Sequence, residues 1–263
     1  MRLRSSLFWG IVLIVLAALL LINQMGWLKG DIFGYFWPVI IILFGIWLLV
    51  GALGRGRSGP TQTISIPLEN AHSARIKLDH GAGRLNIQAG ASSTEILNGV
   101  FGAEVDYKSQ VEADQLQVKI RNSPQFWVWY PGENLDWDIR LNGEVPLNLK
   151  VNSGASASTF NLTDLKVVEL NLDTGASNSE VNMPANAGNT LVNIHSGAAS
   201  LKIHLPTTVA ARIRVKGGLT SVNIDANRFP RQDGDLYQSA DYATVANRAD
   251  ITIDTGVGSI EIN

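Results

Sequence analysis

The residues that could do chemistry lie in short glycine phrases bordered by Ser, Thr, Asp and His, which recur along the chain. One copy is SGAS at residues 153–156, and the next is TGAS at residues 174–177. Glycine-rich loops bind phosphate when they open a helix, whose first N–H groups hold the anion. These phrases are followed instead by alternating apolar residues, the pattern of a strand. A phosphate or dinucleotide site is therefore not expected.

The histidines and aspartates do not form a metal motif in the sequence. His195 and His204 flank one glycine phrase, but strand spacing and the lack of nearby acidic partners do not favour metal binding. Asp173 and Asp254 each precede a glycine by two residues, yet the nonapeptide pattern of calcium-binding β-rolls is absent. The chain has no cysteine, which excludes thiol catalysis and cysteine-based metal sites. We expect no cofactor, no bound metal and no enzymatic activity.

The glycine phrases form an internal repeat. Three of their glycines, at positions 154, 175 and 197, are separated by 21 to 22 residues, and alternating apolar residues flank each phrase on both sides. The six repeat glycines are Gly81, Gly154, Gly175, Gly197, Gly218 and Gly256. A short fixed period is typical of a solenoid, whose units bury their apolar faces by stacking. We predict a right-handed single-stranded β-helix with coils of about 21–22 residues, each made of three short strands and three bends.

The repeat also predicts what stands at each bend. We expect each repeat glycine to adopt a positive φ at the corner between strands, where a Cβ would cost about 1–2 kcal/mol. The residues two positions before the glycines are Asp79, Asn152, Asp173, His195, Lys216 and Asp254. If the coils stack in chain order, Lys216 lies between His195 and Asp254, and we interpret the row as a structural ladder.

The N-terminal 54 residues have the pattern of a membrane hairpin. Residues 7–22 are an unbroken apolar run, and residues 32–53 contain no charged residue after a short aromatic turn. The second run meets the roughly 20 residues that a bilayer span needs. Arginines stand before the hairpin, at positions 2 and 4, and after it, at positions 55 and 57. By the positive-inside rule, both termini and the domain that follows are predicted to be cytoplasmic.

The rest of the chain divides into a linker and a β-domain. Residues 55–61 are a Gly- and Arg-containing linker, which either meets lipid headgroups or serves only as the topology signal. Residues 62–263 are the predicted solenoid. The net charge of −2 gives no basic field for nucleic acid, so no nucleic-acid partner is expected.

Two parts of the β-domain depart from the repeat. Residues 94–141 contain predicted strands at 100–105, 115–120 and 137–141, and form either two degenerate coils or a small antiparallel cap. Residues 225–249 are an insertion between the last two copies of the repeat. Long loops inside compact domains are usually functional or mobile.

An aromatic stretch is the main candidate contact surface. Alternation places apolar side chains on both faces of residues 126–130. The stretch is either a plug for the solenoid end or a patch for protein or membrane-surface contact, since Trp and Tyr favour such places. The candidate residues are Phe126, Trp127, Trp129, Tyr130 and the nearby Trp137.

These features together resemble a bacterial family. Residues 36–49 (FWPVIIILFGIWLL) resemble the transmembrane region shared by LiaI and LiaF proteins. The chain is similar to the toast-rack β-domain at residues 137–147, at the SGAS and TGAS bends and at residues 182–184. It is similar to LiaF-like C-terminal domains at residues 242–247 and 256–260. The resemblance implies a membrane-anchored regulator of envelope-stress signalling that restrains a partner such as a membrane histidine kinase. It implies no catalytic residue.

The sequence therefore favours a non-enzymatic, multi-pass membrane protein that acts through protein contacts in the envelope-stress response. One alternative is a membrane-tethered solenoid scaffold that self-assembles through its open coil ends. Another is an extracytoplasmic binder of cell-wall or polysaccharide ligands.

Overall fold

The computed structural model describes residues 41, 42, 45, 61–123 and 135–263. Residues 61–123 and 135–263 belong to one compact unit. Outside the residues described lie the predicted span at 7–22, the predicted span at 32–53 except for residues 41, 42 and 45, the linker except for Thr61, and the aromatic stretch at 126–130. Within the described residues, no helix is both long enough and apolar enough to cross a bilayer.

The described part of the chain folds into thirteen strands of one sheet. In chain order they are Gln62–Pro67 (β1), Ser73–Ala89 (β2), Glu95–Phe101 (β3), Val105–Glu112 (β4), Gln115–Asn122 (β5), Trp137–Leu141 (β6), Leu147–Asn161 (β7), Val167–Asn182 (β8), Asn189–His204 (β9), Ala210–Ile224 (β10), Arg231–Asp233 (β11), Leu236–Gln238 (β12) and Arg248–Ile262 (β13). The prediction of an all-β domain is confirmed.

Each repeat unit is one long strand with a bend in it. In β7 the buried residues have odd numbers before Gly154, as at Leu149 and Val151, and even numbers after it, as at Phe160. This shift lets both arms of the strand face the same core, because side chains alternate along a strand. The three short strands predicted for each coil are therefore replaced by one bent strand of 15 to 17 residues in β2 and β7.

The repeat strands stack in parallel and in register, as a solenoid requires. β2 pairs with β7, β7 with β8, and β8 with β9. One buried column runs through all of the units and consists of Leu78, Val151, Leu172, Ile194, Ile253 and Val215. Burying each such side chain contributes about 1.5–3 kcal/mol, so the core stabilises the stack continuously. The right-handed sense of the coil stays a prediction.

The stack does not follow chain order at its far end. β13 lies between β9 and β10, so Asp254 stands between His195 and Lys216. The predicted order, with Lys216 between His195 and Asp254, is therefore wrong. The repeat pattern does not distinguish the two orders, because Val222 and Ile224 of β10 occupy the same columns as Ile260 and Ile262 of β13.

Residues 94–141 form one coil, and not the two that the sequence suggested, together with the antiparallel strand pairs of the other alternative. β5 pairs with the first arm of β2 and β6 with its second arm, so together they make one interrupted coil. β4 pairs antiparallel with β5, while β3 pairs antiparallel with both β1 and β6. The predicted strands at 115–120 and 137–141 are confirmed. The one at 100–105 is wrong, since a turn separates β3 from β4.

The insertion at 225–249 caps one arm of the terminal repeat strand. β11 and β12 form an antiparallel hairpin, and β12 pairs with Arg212–Arg214 of β10. Phe229 is fully buried, and the Arg228 guanidinium donates hydrogen bonds to three backbone carbonyls, those of Leu205, Pro206 and Val209. The insertion thus has a defined structure that closes the core beside β10.

Candidate interaction sites at the glycine bends and the free sheet edge

The six repeat glycines form one column across the sheet. In each pair of stacked strands, the residues on either side of the glycines lie opposite one another. A Cβ on Gly175 would lie 2.6 Å from the carbonyl oxygen of Gly154, and one on Gly154 equally close to that of Gly81. Atoms cannot approach so closely without a backbone shift. Glycine is therefore required by the close approach of the stacked backbones.

The predicted reason for these glycines, a positive φ, is wrong. Among the described glycines, positive φ occurs at Gly83, Gly90, Gly188, Gly234 and Gly258, none of which is a repeat glycine. The six bends use backbone conformations that other residues also adopt. Space, and not backbone strain, selects glycine at these positions.

A row of polar residues runs beside the glycine column. Asp79, Asn152 and Asp173 lie opposite one another in successive strands. The Asn152 Nδ2 donates to Asp79 Oδ1 at 2.6 Å, and Lys150 Nζ lies 3.5 Å from Asp173 Oδ2. These contacts join neighbouring strands, as expected of a structural ladder.

The middle bends enclose a shallow groove, here called the bend groove. It has a volume of about 540 Å³ and is open to solvent. It is lined by Ser153, Asp173, Thr174, Gly175, His195, Ser196, Gly197 and Asp254. Its walls are therefore the polar row on one side and a row of hydroxyls on the other.

The chemistry of the bend groove is that of hydrogen bonding and charge recognition. The Ser153 hydroxyl donates to Ser156 at 2.7 Å, while the Ser196 hydroxyl is buried without a partner. In residues 61–123 and 135–263, no hydrogen bond joins His195 to a hydroxyl or a carboxylate. The same residues contain no group of three His, Asp or Glu side chains that could hold a metal. Activation of a serine by His195 is thus not prepared by this geometry.

His204 does not line the bend groove, and it has partners of its own. Its Nδ1 lies 2.6 Å from Asn263 Oδ1, and its Nε2 lies 3.6 Å from Glu180 Oε1. The sequence interpretation that both histidines lack acidic neighbours is therefore wrong: His204 has Glu180, and His195 lies between Asp173 and Asp254 of the adjacent strands. The glutamate comes from β8, a neighbouring strand, and not from the residues next to His204 in the chain.

At the β2 end of the hydroxyl row, the position opposite Ser153 is taken by a buried histidine, His80. His80 is 2% exposed, and its Nε2 lies 3.1 Å from the carbonyl oxygen of Leu135. Its ring packs edge-on against Trp137 at 4.9 Å. Burial lowers the pKa of His80, and the Leu135 hydrogen bond and the Asp136 charge only partly oppose this. The neutral ring is therefore favoured in the folded protein.

An ion pair beside His80 fixes the chain just before β6. The Arg84 guanidinium donates two hydrogen bonds to Asp136 Oδ2, at 2.9 and 2.7 Å, and the Arg84 backbone N–H donates to Oδ1 at 2.9 Å. Burial alone would raise the pKa of Asp136, but these bonds and the Arg84 charge leave it lowered. Asp136 is therefore held as a carboxylate.

The predicted aromatic contact patch is divided by the structure. Phe126, Trp127, Trp129 and Tyr130 lie outside the residues described. Trp137 is 1% exposed and packs against Phe101 at 5.2 Å. Its assignment to a contact surface is corrected: alternation along β6 turns its side chain into the core.

A site that the sequence interpretation missed is the outer edge of β10. β10 pairs with β13 along its whole length but with β12 only at Arg212–Arg214. We call residues 216–224 the free edge. Leu219 is 80% exposed and Val222 is 39% exposed there. A signal was present: Leu219 occupies the column in which the earlier copies have alanine, at Ala82, Ala155, Ala176 and Ala198.

Comparison with solved structures identifies the fold. A candidate cell adhesion protein from Clostridium sporogenes ATCC 15579 aligns with a TM-score of 0.70 and 22% identity, over 77% of this chain and 98% of that chain. At this identity the likeness shows the fold alone. A candidate adhesin from Bacteroides fragilis NCTC 9343 aligns over 78% of this chain and 98% of that chain, with 11% identity and a TM-score of only 0.21. The search of curated proteins found no match.

Comparison with protein families gives two matches, which together cover most of the first 204 residues. Residues 7–49 match the LiaI-LiaF-like transmembrane region, which makes this a membrane-associated protein. Residues 55–204 match the N-terminal domain of toast_rack, DUF2154, over more than half of the chain. The chain therefore belongs to the toast_rack family and carries a LiaI-LiaF-like transmembrane region before its β-domain.

Proposed function

We propose that this protein is a non-enzymatic regulator of the bacterial envelope-stress response that restrains a membrane sensor, such as a histidine kinase, by direct contact. The observation that carries the proposal is the presence of a LiaI-LiaF-like transmembrane region and a toast_rack domain in one chain. The transmembrane region keeps the β-domain at the bilayer. A stacked β-domain offers a long, rigid surface for a membrane partner.

The topology is part of the proposal. Two spans, at residues 7–22 and 32–53, carry arginines on both outer flanks, which favours cytoplasmic termini and a cytoplasmic β-domain. A cytoplasmic domain would reach the signalling parts of a sensor kinase, which act inside the cell.

The bend groove is the surface that we assign to the partner. Asp173, His195 and Asp254 stand side by side at its rim. In the middle strands the exposed column next to the glycines consists of small residues, as at Ala176 and Ala198, so a partner backbone can approach closely there. This combination suits a basic or hydrogen-bonding segment of a protein.

Topology is the first test. An enzyme reporter that is active only in the cytoplasm is fused after Ser58 in one strain and after Asn263 in another. We expect activity from both fusions. If both fusions are inactive, while the same fusions to a reporter that is active only outside the cell are active, the proposed restraint of a kinase from the cytoplasm fails.

Regulation is tested with an envelope-stress promoter in a strain that lacks the protein. We expect basal promoter activity to rise, and wild-type protein to restore it. The double variant Asp173→Lys/Asp254→Lys should fail to restore it, whereas Asp233→Lys, an exposed charge reversal outside the bend groove, should succeed. Equal promoter activity with and without the protein would contradict the proposal.

A second candidate function is binding of cell-wall or polysaccharide ligands outside the cell. The open, hydroxyl-rich bend groove favours it, because sugars are bound through such hydrogen-bonding groups. Inactive cytoplasmic reporters at both fusion points, with active extracellular reporters at the same points, would support this candidate. Binding of soluble cell-wall fragments to the purified protein would then be measured.

A further inference from the structure

The free edge of β10 is an unpaired strand at the end of the stack. Residues 216–224 pair with β13 on one side, and no described strand pairs with them on the other. Eight of the nine residues in this stretch are apolar or neutral, and all eight are exposed or partly exposed. Lys216 is the only charged residue of the stretch. Natural edge strands are usually protected by charges, proline or bulges, so this edge can accept another strand.

The core is also incomplete at this edge. Val222 and Ile224 stand in the same columns as Ile260 and Ile262 of β13. The β13 residues are 2% and 1% exposed, whereas Val222 is 39% exposed. One further strand on β10 would cover Val222 and Leu219, as each inner strand covers its neighbour.

The opposite end of the sheet does not offer a matching surface. β4 pairs only with β5, and its exposed length carries Asp106, Lys108 and Glu112. β1, the other terminal strand there, has only six residues and ends at Pro67. Head-to-tail stacking would thus bring a neutral, apolar edge against a charged or short one. The occupant must fit the free edge itself.

Charge along the free edge fits a second copy of the same chain. Lys216 lies at its start and Asp225 directly after its end, and both are exposed. An antiparallel pair centred on Ser221 sets Lys216 of each copy opposite Ala226 of the other, one position from Asp225, twice in the dimer. It also keeps the inward faces of both copies on the same side, with Val222 opposite Thr220. A parallel pair would place Lys216 beside Lys216.

We propose that two copies of this protein pair antiparallel through residues 216–224 to form a closed dimer with one sheet running through both. A two-fold interface closes on itself, so it gives dimers and not filaments. One strand pair is a small interface, and tethering both copies to a bilayer raises their effective concentration. The dimer is independent of the proposed regulatory role.

The absence of cysteine from the chain allows a direct test in membranes. Ser221→Cys is placed in the full-length protein, membranes are oxidised mildly, and dimers are measured on non-reducing gels. Opposite residues of an antiparallel pair have Cα atoms about 4.5–5.5 Å apart, within reach of a disulfide. We expect a disulfide-linked dimer from Ser221→Cys, and about tenfold less from the matched control Ser109→Cys on β4.

Charge reversal then tests the register. Lys216→Asp added to Ser221→Cys should reduce the dimer several-fold, and Lys216→Asp/Asp225→Lys should restore it. Recovery in the doubly reversed variant shows that the single variant had folded.

Three outcomes would overturn the dimer. The first is no disulfide-linked dimer from Ser221→Cys. The second is a disulfide from Ser221→Cys only to a different protein, which makes the occupant a partner. The third is efficient linkage between Ser221→Cys copies and Ser109→Cys copies, which shows head-to-tail stacking.

Discussion

The carbonyl oxygen of Gly154 lies 2.6 Å from the place where a Cβ on Gly175 would stand. We expect Gly175→Ala to lower the free energy of unfolding by about 1–3 kcal/mol, since one extra carbon must push stacked backbones apart. Gly175→Val should lower it further. The measurement is thermal unfolding of the purified protein, followed by the circular dichroism of its β-sheet.

The neighbouring residue supplies the matched control for Gly175. Ala176 is exposed and lies in the column where β13 carries Val257. Ala176→Val should therefore change stability by less than about 0.5 kcal/mol. If Gly175→Ala and the wild type unfold at the same temperature, the bend can accommodate a Cβ, which would contradict the close contact with the Gly154 carbonyl oxygen.

His80 makes the stability of the β-domain depend on pH. Its pKa in the folded protein is lowered by burial from the ordinary value of 6.5, so the unfolded chain binds the proton more strongly. The stabilisation by neutral His80 is complete at a pH above the pKa of His80 in the unfolded chain. It is lost as the pH falls from there towards the lower pKa of His80 in the folded protein. Each unit of lowering corresponds to about 1.4 kcal/mol.

The test for His80 compares two unfolding series between about pH 8 and pH 5. His80→Phe keeps a ring beside Trp137 but cannot take up a proton. We expect the wild type to lose more stability on acidification than this variant. Parallel curves would mean that His80 titrates normally in the folded protein.

Among the elements, the insertion is attached through strand pairing, the buried Phe229 and the side chain of Arg228. Arg228 donates to the carbonyl groups of Leu205, Pro206 and Val209, so Arg228→Ala removes a donor from all three, and that of Pro206 still accepts from the Val209 N–H. We expect local opening of β11 and β12 to become easier by about 1.5–3 kcal/mol. Hydrogen exchange of their amides measures this. Arg214→Ala, an exposed position on β10, should leave the exchange unchanged.

How far the elements can be predicted depends on where their partners lie. Strands at 115–120 and 137–141 were visible because their apolar residues alternate. The strand at 100–105 was not real, because a turn after Phe101 is held by distant partners: the Gly102 N–H donates to Asp136, and Glu104 accepts from Ser123. The alternation of residues over a short stretch of sequence does not predict such long-range contacts. The repeat glycines could likewise be identified in the sequence. The reason for glycine, the close approach of a carbonyl group on the next strand, could not.

At the scale of the whole molecule, the repeat predicts the stacking of similar strands but not their order. The copies at Gly218 and Gly256 share one phrase pattern, so the sequence suggested that they stack as they come in the chain. The sequence pattern does not separate the two orders, since the second arms of β10 and β13 carry apolar residues in the same columns, and the exposure of the β10 arm follows from its position at the edge. The free edge follows from that order. It could not be located before the order was known.

The position of β13 also has a consequence for the time course of synthesis. A strand at the edge can be added last, but β13 is an inner strand that separates β9 from β10. β10 therefore emerges from the ribosome before its neighbour in the sheet exists. It must either wait or dock on β9 in a wrong arrangement that later has to open. The far end of this protein is completed only after residues 248–262 have been made, and until then a chaperone or a second nascent chain can reach it.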